Sequence, residues 1–158
     1  MTCEPRILLR GTALGVVNGA LLSLIMVPAF LAGLPPMPQP PSPAFAETLL
    51  AQGLPMSVGL LFHLAYVTIW SVLWVAWDHP RLRLGSAAIL AAVLWAAALL
   101  VFFPINGWGL LGLGVGPKVM VTALVPHALF ALFLWGLGRL FLRERRRAAG
   151  TTTGAETE

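Results

Sequence analysis

Residues 84–103 read LGSAAILAAVLWAAALLVFF, a run without one charged side chain. At 1.5 Å of rise per residue, a helix of about 20 apolar residues crosses the roughly 30 Å hydrocarbon core of a bilayer. Charge is absent in the same way between Arg10 and Glu47, between Glu47 and Asp78, and between Lys118 and Arg139. Of 158 residues, 58% are hydrophobic and 10% charged, where a soluble domain carries about 25% charged residues. The fold class expected is all-α membrane, a four-transmembrane-helix bundle over residues 1–142, with spans near 11–34, 54–77, 84–103 and 118–141. Residues 143–158, RERRRAAGTTTGAETE, read as a disordered cytoplasmic tail.

Cytoplasmic flanks keep Lys and Arg, and translocated loops avoid them. With four spans, Arg6, Arg10, Arg81, Arg83, Arg139, Arg143, Arg145, Arg146 and Arg147 fall on one side and Lys118 alone on the other. That distribution predicts a multi-pass protein with both termini in the cytoplasm. Its net charge of +4 belongs to contact with anionic lipid heads. A nucleic-acid reader needs a soluble basic face, and the chain offers none. The run after Arg10 with Ala44-Phe45-Ala46 beyond it also has the order of a secretory leader. Its apolar stretch exceeds the 7–15 residues of such a leader, and prolines separate it from the Ala-x-Ala, so a first span is expected instead. The single cysteine, Cys3, permits no internal disulfide.

The first connection, LPPMPQPPSPAFAETLLAQGLP, is proline-loaded and is expected to run partly as polyproline II, a spacer on the outer face. The second, DHPRLR, is a tight turn in which Asp78 and Pro80 end the helix and His79 has no role. The third, FPINGWGLLGLGVGP, has glycines at 107, 109, 112, 114 and 116 around Trp108, the composition of an interfacial or re-entrant segment. Gly11, Gly15 and Gly19 share one face of the first span, and Ala88, Ala92 and Ala96 one face of the third. In lipid such small-residue stripes let helix backbones approach, so close packing is expected along both.

The second and fourth spans look alike. Setting PMSVGLLFHLAYVTIW over VMVTALVPHALFALFL pairs Met56 with Met120, Gly59 with Ala123, His63 with His127 and Tyr66 with Phe130. A duplicated helix hairpin follows, its two copies parallel and related by a pseudo-two-fold along the membrane normal. Both histidines then lie about nine residues from the same end of parallel helices, roughly 13 Å below the boundary. Met56, Gly59, His63, Tyr66 and Trp70 recur at helical spacing and share a stripe. Pro126 removes one backbone hydrogen bond beside His127 and frees the Thr122 carbonyl.

Three readings of the pair stay open. Each imidazole can serve packing alone, in a non-catalytic accessory or assembly subunit. His63 and His127 can ligate a haem b, with Gly59, Ala123 and Ala131 making room, Tyr66 on the His63 face, and Lys118, Asn106 or Trp108 near the propionates. The same imidazoles can hold copper or another transition metal with Met56 or Met120. No Asp or Glu lies inside a span, and Lys118 and Arg139 stand at the two ends of the fourth, so the usual groups of a proton relay are missing. Ser23, Ser57, Thr68, Ser71 and Thr122 read as hydroxyls bonded back to their own helices, and Asn18 as an interhelical hydrogen-bonder. Chemistry by side chains alone is therefore not expected.

RGTALG (10–15), GLPPM (33–37), GLLFHLAYVTIWSVLW (59–74), FPINGWGLLG (103–112) and PHALFALFLWGLG (126–138) stand in this order. Over residues 10–142 the chain resembles a family of short four-helix integral membrane proteins of bacteria and haloarchaea whose domain has no assigned function. Where such relatives carry Tyr-Gly shortly after the second histidine, this chain has Phe130-Ala131. The resemblance implies a four-helix fold and a membrane location and supplies no activity. The chain is expected in a prokaryotic cytoplasmic membrane, with the lipid bilayer as its surroundings and, on the haem reading, a membrane redox partner or a second copy as its neighbour.

Overall fold

The computed structural model describes residues 5–50 and 53–152, and the side chains of 7–50 and 53–141. Cys3 and the last six residues lie outside them. Among the described residues the structure is helical, without a strand: α1 Pro5–Leu31, α2 Pro41–Leu49, α3 Met56–Asp78, α4 Leu84–Ala97, α5 Phe103–Ile105 and α6 Lys118–Thr152. A wide π-type turn, Ala98–Phe102, joins α4 to α5, where Pro104 has no N–H to give to the turn before it. Four stretches are long and apolar enough to cross a membrane: Ile7–Leu31, Met56–Asp78, Leu84–Ile105 and Lys118–Phe141. Leu24, Leu61, Ile89 and Val121 project outward more than 60% exposed, a surface that suits hydrocarbon and not water.

Around the bundle, α1 packs on α3 and α6, α6 on α4, and α4 returns to α3, so that α3 and α6 stand diagonally. Arg10, Arg81, Arg83 and Arg139 mark one end, the basic end; α2 and the glycine loop 107–116 form the other, the loop end. Buried side chains make two clusters. One, toward the basic end, gathers Leu14, Leu22, Val67, Trp74, Ala91, Leu94, Phe130 and Leu134. The second, under the loop end, gathers Ala44, Leu99, Phe103, Trp108, Val119 and Ala123.

The glycine stripe of α1 meets α3 with almost no gap. A Cβ on Gly11 would stand 3.0 Å from Val72 Cα, and one on Gly15 2.6 Å from Thr68 Cα. The alanine stripe is a different matter. Ala88 and Ala92 are exposed and Ala96 half-buried, while Ser86, Ala87, Ala91 and Leu94 face the bundle. Two alanine ladders run one residue apart on α4, and the spacing that marks a small face is satisfied by both; α6 packs on the other one. Ala91→Leu is accordingly expected to destabilise the protein by about 2 kcal/mol through overpacking, and Ala92→Leu to stay within about 0.5 kcal/mol, as read from thermal midpoints in detergent.

The proline-rich connection is also more ordered than polyproline. Residues 35–40 are irregular, but α2 follows directly. Pro41 and Pro43 occupy its first turn, where the helix needs no N–H; the first intrahelical bond runs from Ala44 N–H to the Pro40 carbonyl, 3.2 Å. Phe45 then packs its ring on Phe102 (4.8 Å between centroids) and on Phe62 (6.5 Å). Asn106 Nδ2 donates to the Pro41 carbonyl at 3.3 Å, tying α2 to the loop end. At the other end α6 continues through Thr152 instead of stopping near Phe141. Arg, Glu and Ala after Phe141 are good helix formers in water as well as at a membrane surface.

Candidate functional site

The two histidines lie at the joint between the apolar clusters. On α6, His127 stands between Ala123 of the loop-end cluster and Phe130 of the other. On α3, His63 stands between Gly59 and Val67. The contacts fix their relative height. His63 meets the backbone of Gly19, and the neighbouring Asn18 donates from Nδ2 to the Phe130 carbonyl at 3.4 Å. Counting along the antiparallel helices from these two contacts, the rings are level to within roughly 3 Å.

The hydrogen bonds define which ring nitrogen is available. His127 Nδ1 is 2.7 Å from the carbonyl oxygen of Ala123, one turn back on its own helix. A carbonyl only accepts, so Nδ1 carries the proton and Nε2 the lone pair. His63 Nε2 is buried without a hydrogen-bond partner. The His127 ring thus holds its own helix through Nδ1, with Nε2 left as an acceptor.

Other residues singled out in the sequence are engaged elsewhere. A Cβ on Gly59 would stand 2.5 Å from Pro43 Cγ, so this glycine seats α2 and leaves no room for a macrocycle at that face. Tyr66 is half-buried and stacks edge-on against Phe102 (5.7 Å) and Trp70 (6.2 Å), toward α4. Ala123 is buried and offers its carbonyl to His127. Met56 is 48% exposed; Met120 lends its carbonyl to Trp95 Nε1 at 3.1 Å. Trp108 is buried against Phe103, and Lys118 is exposed. Among the described residues no three His, Cys, Asp or Glu side chains come together as a metal-holding group. Ser23, Ser71 and Thr122 bond back to Gly19, Val67 and Lys118 at 2.7–2.9 Å, whereas Thr68 Oγ1 is buried without a partner.

One polar cluster escaped the sequence reading. Asp78 is 6% exposed and Ser86 8%. Asp78 Oδ2 accepts the Arg83 N–H and the Ser86 hydroxyl, both at 2.6 Å, and Ser86 Oγ accepts Trp74 Nε1–H at 3.0 Å. Asp78 is thus more than a helix stop; it locks the α3–α4 turn. The available signal was a carboxylate followed eight residues later by a serine across a proline turn, which is too common a pattern to single out. His79, beside it, is half-buried. Comparison of the chain with protein-family models, with curated proteins and with solved structures finds no match.

Proposed function

We propose that this is a protein of a prokaryotic cytoplasmic membrane, both termini inside, that holds a haem b between His63 and His127 and passes single electrons to a membrane partner. The nine arginines expected on one side support the orientation. The observation that supports the haem reading is His127, whose Nδ1 is turned to the Ala123 carbonyl so that Nε2 is left as an acceptor, together with His63 Nε2, buried without a partner. That is how a metal-ligating histidine is oriented, its second nitrogen fixing tautomer and ring plane. The charge balance favours haem over a bare ion. The one acidic side chain in the spans, Asp78, closes the second at the basic end, fifteen residues from His63, so copper or zinc would enter a low-dielectric core without a counter-charge beside it. A porphyrin brings its own two negative charges, and the ferrous form is neutral at the macrocycle. When bound, the group supplies one-electron exchange at iron; the chain supplies two ligands and a dry, apolar surround.

A second reading, an accessory subunit with structural histidines, draws on the same His127–Ala123 bond, which an imidazole also makes with no ligand present. Optical spectra separate the two. Protein expressed with haem supplementation and purified in mild detergent is expected to show a Soret band and a sharp reduced α-band. Both bands should vanish in His63→Ala and in His127→Ala while helicity by circular dichroism is retained. A colourless wild-type protein that folds normally leaves the accessory reading; stoichiometric copper in the same sample would point to a metal site instead.

A further inference from the structure

The outward row of α6 ends on a cation. Val121, Val125, Leu132 and Arg139 follow one another at spacings of four and seven, which keeps them on one face of the helix, and the three apolar members are 50–64% exposed. That face meets lipid. Arg139 is exposed inside the apolar stretch Lys118–Phe141, and Leu140 and Phe141, both exposed, carry the apolar surface past it. On the neighbouring α1, Leu8 and Leu9 are exposed beyond Arg10 in the same way. The guanidinium of Arg139 therefore stands at the edge of the hydrocarbon, where phospholipid headgroups lie, and not in the water farther out.

We propose that Arg139, seated on Trp135, binds the headgroup phosphate of an anionic phospholipid at the basic end. The inference is independent of the haem reading. Arg139 Cζ lies 4.9 Å from the centre of the Trp135 ring, one turn back on α6, and Trp135 is itself packed against the bundle core. A guanidinium laid on an aromatic face is held in place, and its N–H donors, which lie in its own plane, stay open to an oxyanion. Among the described residues the one ion pair at this end joins Arg83 to Asp78, and the Asp78 carboxylate is engaged within its own turn. No described carboxylate answers Arg139. Leu132, Val125 and Val121 lead from the guanidinium toward the middle of the bilayer, so one lipid can set its phosphate on Arg139 and an acyl chain along the row below. A soluble anion would gain only the first of these contacts.

Lipid selectivity of the full chain tests this, measured as the association of spin-labelled phosphatidylglycerol relative to spin-labelled phosphatidylcholine in phosphatidylcholine bilayers. Arg139→Gln is expected to lower the preference for phosphatidylglycerol about fivefold, the factor for one basic side chain at a membrane surface. Trp135→Leu should lower it about twofold, and Trp135→Phe less, since a smaller aromatic face still seats the guanidinium. Arg81→Gln, in the α3–α4 turn, should stay close to wild type. The two Trp135 variants carry the test if Arg139→Gln fails to fold. Equal losses at Arg139 and Arg81 would mean that the diffuse charge of the basic end attracts the lipid, and would overturn the site. Inorganic phosphate and polyglutamate are expected not to displace the labelled lipid beyond the effect of sodium chloride at the same ionic strength. Displacement by either would give Arg139 to a soluble anion or to an acidic protein and overturn the lipid assignment.

Discussion

Gly15→Leu is expected to cost about 3 kcal/mol or more, the largest effect of any single substitution along the glycine stripe of α1. A Cβ at this position would lie 2.6 Å from Thr68 Cα, 3.0 Å from Ser71 Cβ and 3.1 Å from the Thr68 carbonyl oxygen. Two of those three atoms are backbone, so relief requires moving α3 itself. In lipid, apolar burial adds little between helices, and a wedge that separates backbones removes dispersion contacts along the whole seam. The series along the stripe has a predictable order. Gly11→Ala meets Val72 Cα at 3.0 Å, again backbone but with more room. Gly19→Ala meets the Cδ1 tip of Leu64 at 2.8 Å, which can swing aside. Denaturation midpoints in mixed detergent micelles should therefore fall in the order Gly15, Gly11, Gly19. Gly85→Ala and Gly136→Ala, which have nothing within 4 Å, should be close to neutral. Alanine is the better helix former, so an equal change at all five positions would show that propensity, not contact with α3, governs the effect.

What could be read from the chain follows from which interactions have only one solution. The four spans were legible because a charge-free run of the length of residues 84–103 has no alternative home. The glycine stripe was legible because Gly11, Gly15 and Gly19 leave a single smooth face on α1. On α4 the same logic had two answers, the ladder through Ala87 and Ala91 and the ladder through Ala88 and Ala92. Residue size cannot choose between them; only the position of α6 does.

The loop end was illegible for a different reason. Proline is a helix breaker in general, but Pro41 and Pro43 fall where no helical N–H is required, and nothing local announces that a first turn starts there. Whether Phe45 finds Phe62 and Phe102 decides that the helix forms, and that is a tertiary fact. The histidines show the same split. Their depth follows from counting residues, since rise per residue is fixed. Their company does not: Gly59, His63 and Tyr66 share a stripe in projection, yet Gly59 meets Pro43, His63 meets Gly19 and Tyr66 meets Phe102. A stripe wide enough to touch three neighbours cannot be assigned to one site before those neighbours are placed.

Asp78→Ala is expected to lower stability by about 3 kcal/mol, because the substitution removes one acceptor of a buried network and disturbs three donors at once. The Arg83 N–H loses the acceptor it reaches at 2.6 Å, the Ser86 hydroxyl is left with the Arg83 carbonyl at 2.8 Å in place of Oδ2, and the hydroxyl to which Trp74 Nε1 donates at 3.0 Å turns with it. Trp74 is 1% exposed and presses on Gly138 of α6, where a Cβ would stand 3.2 Å from its ring. Disturbing its polar tip is therefore felt across the bundle diagonal, not only in the turn. The turn itself carries strain: Leu82 has φ of +47° with its side chain 1% exposed, a backbone region that costs a branched residue about 1 kcal/mol or more. The Asp78 bonds and the burial of Leu82 hold it there. Asp78→Asn should lose less, since an amide oxygen still accepts the Arg83 N–H. Ser86→Ala should lose about 1–2 kcal/mol, and Asp78→Ala with Ser86→Ala less than the sum of the two, as members of one network do. Arg83→Ala separates charge from hydrogen bonding. Its guanidinium is 3.7 Å from Asp78 Oδ1 but the side chain is 63% exposed, so its removal should cost under about 0.5 kcal/mol. A large loss at Arg83, or strict additivity of Asp78 and Ser86, would mean that the carboxylate acts as a surface counter-ion and not as the acceptor that closes the hairpin.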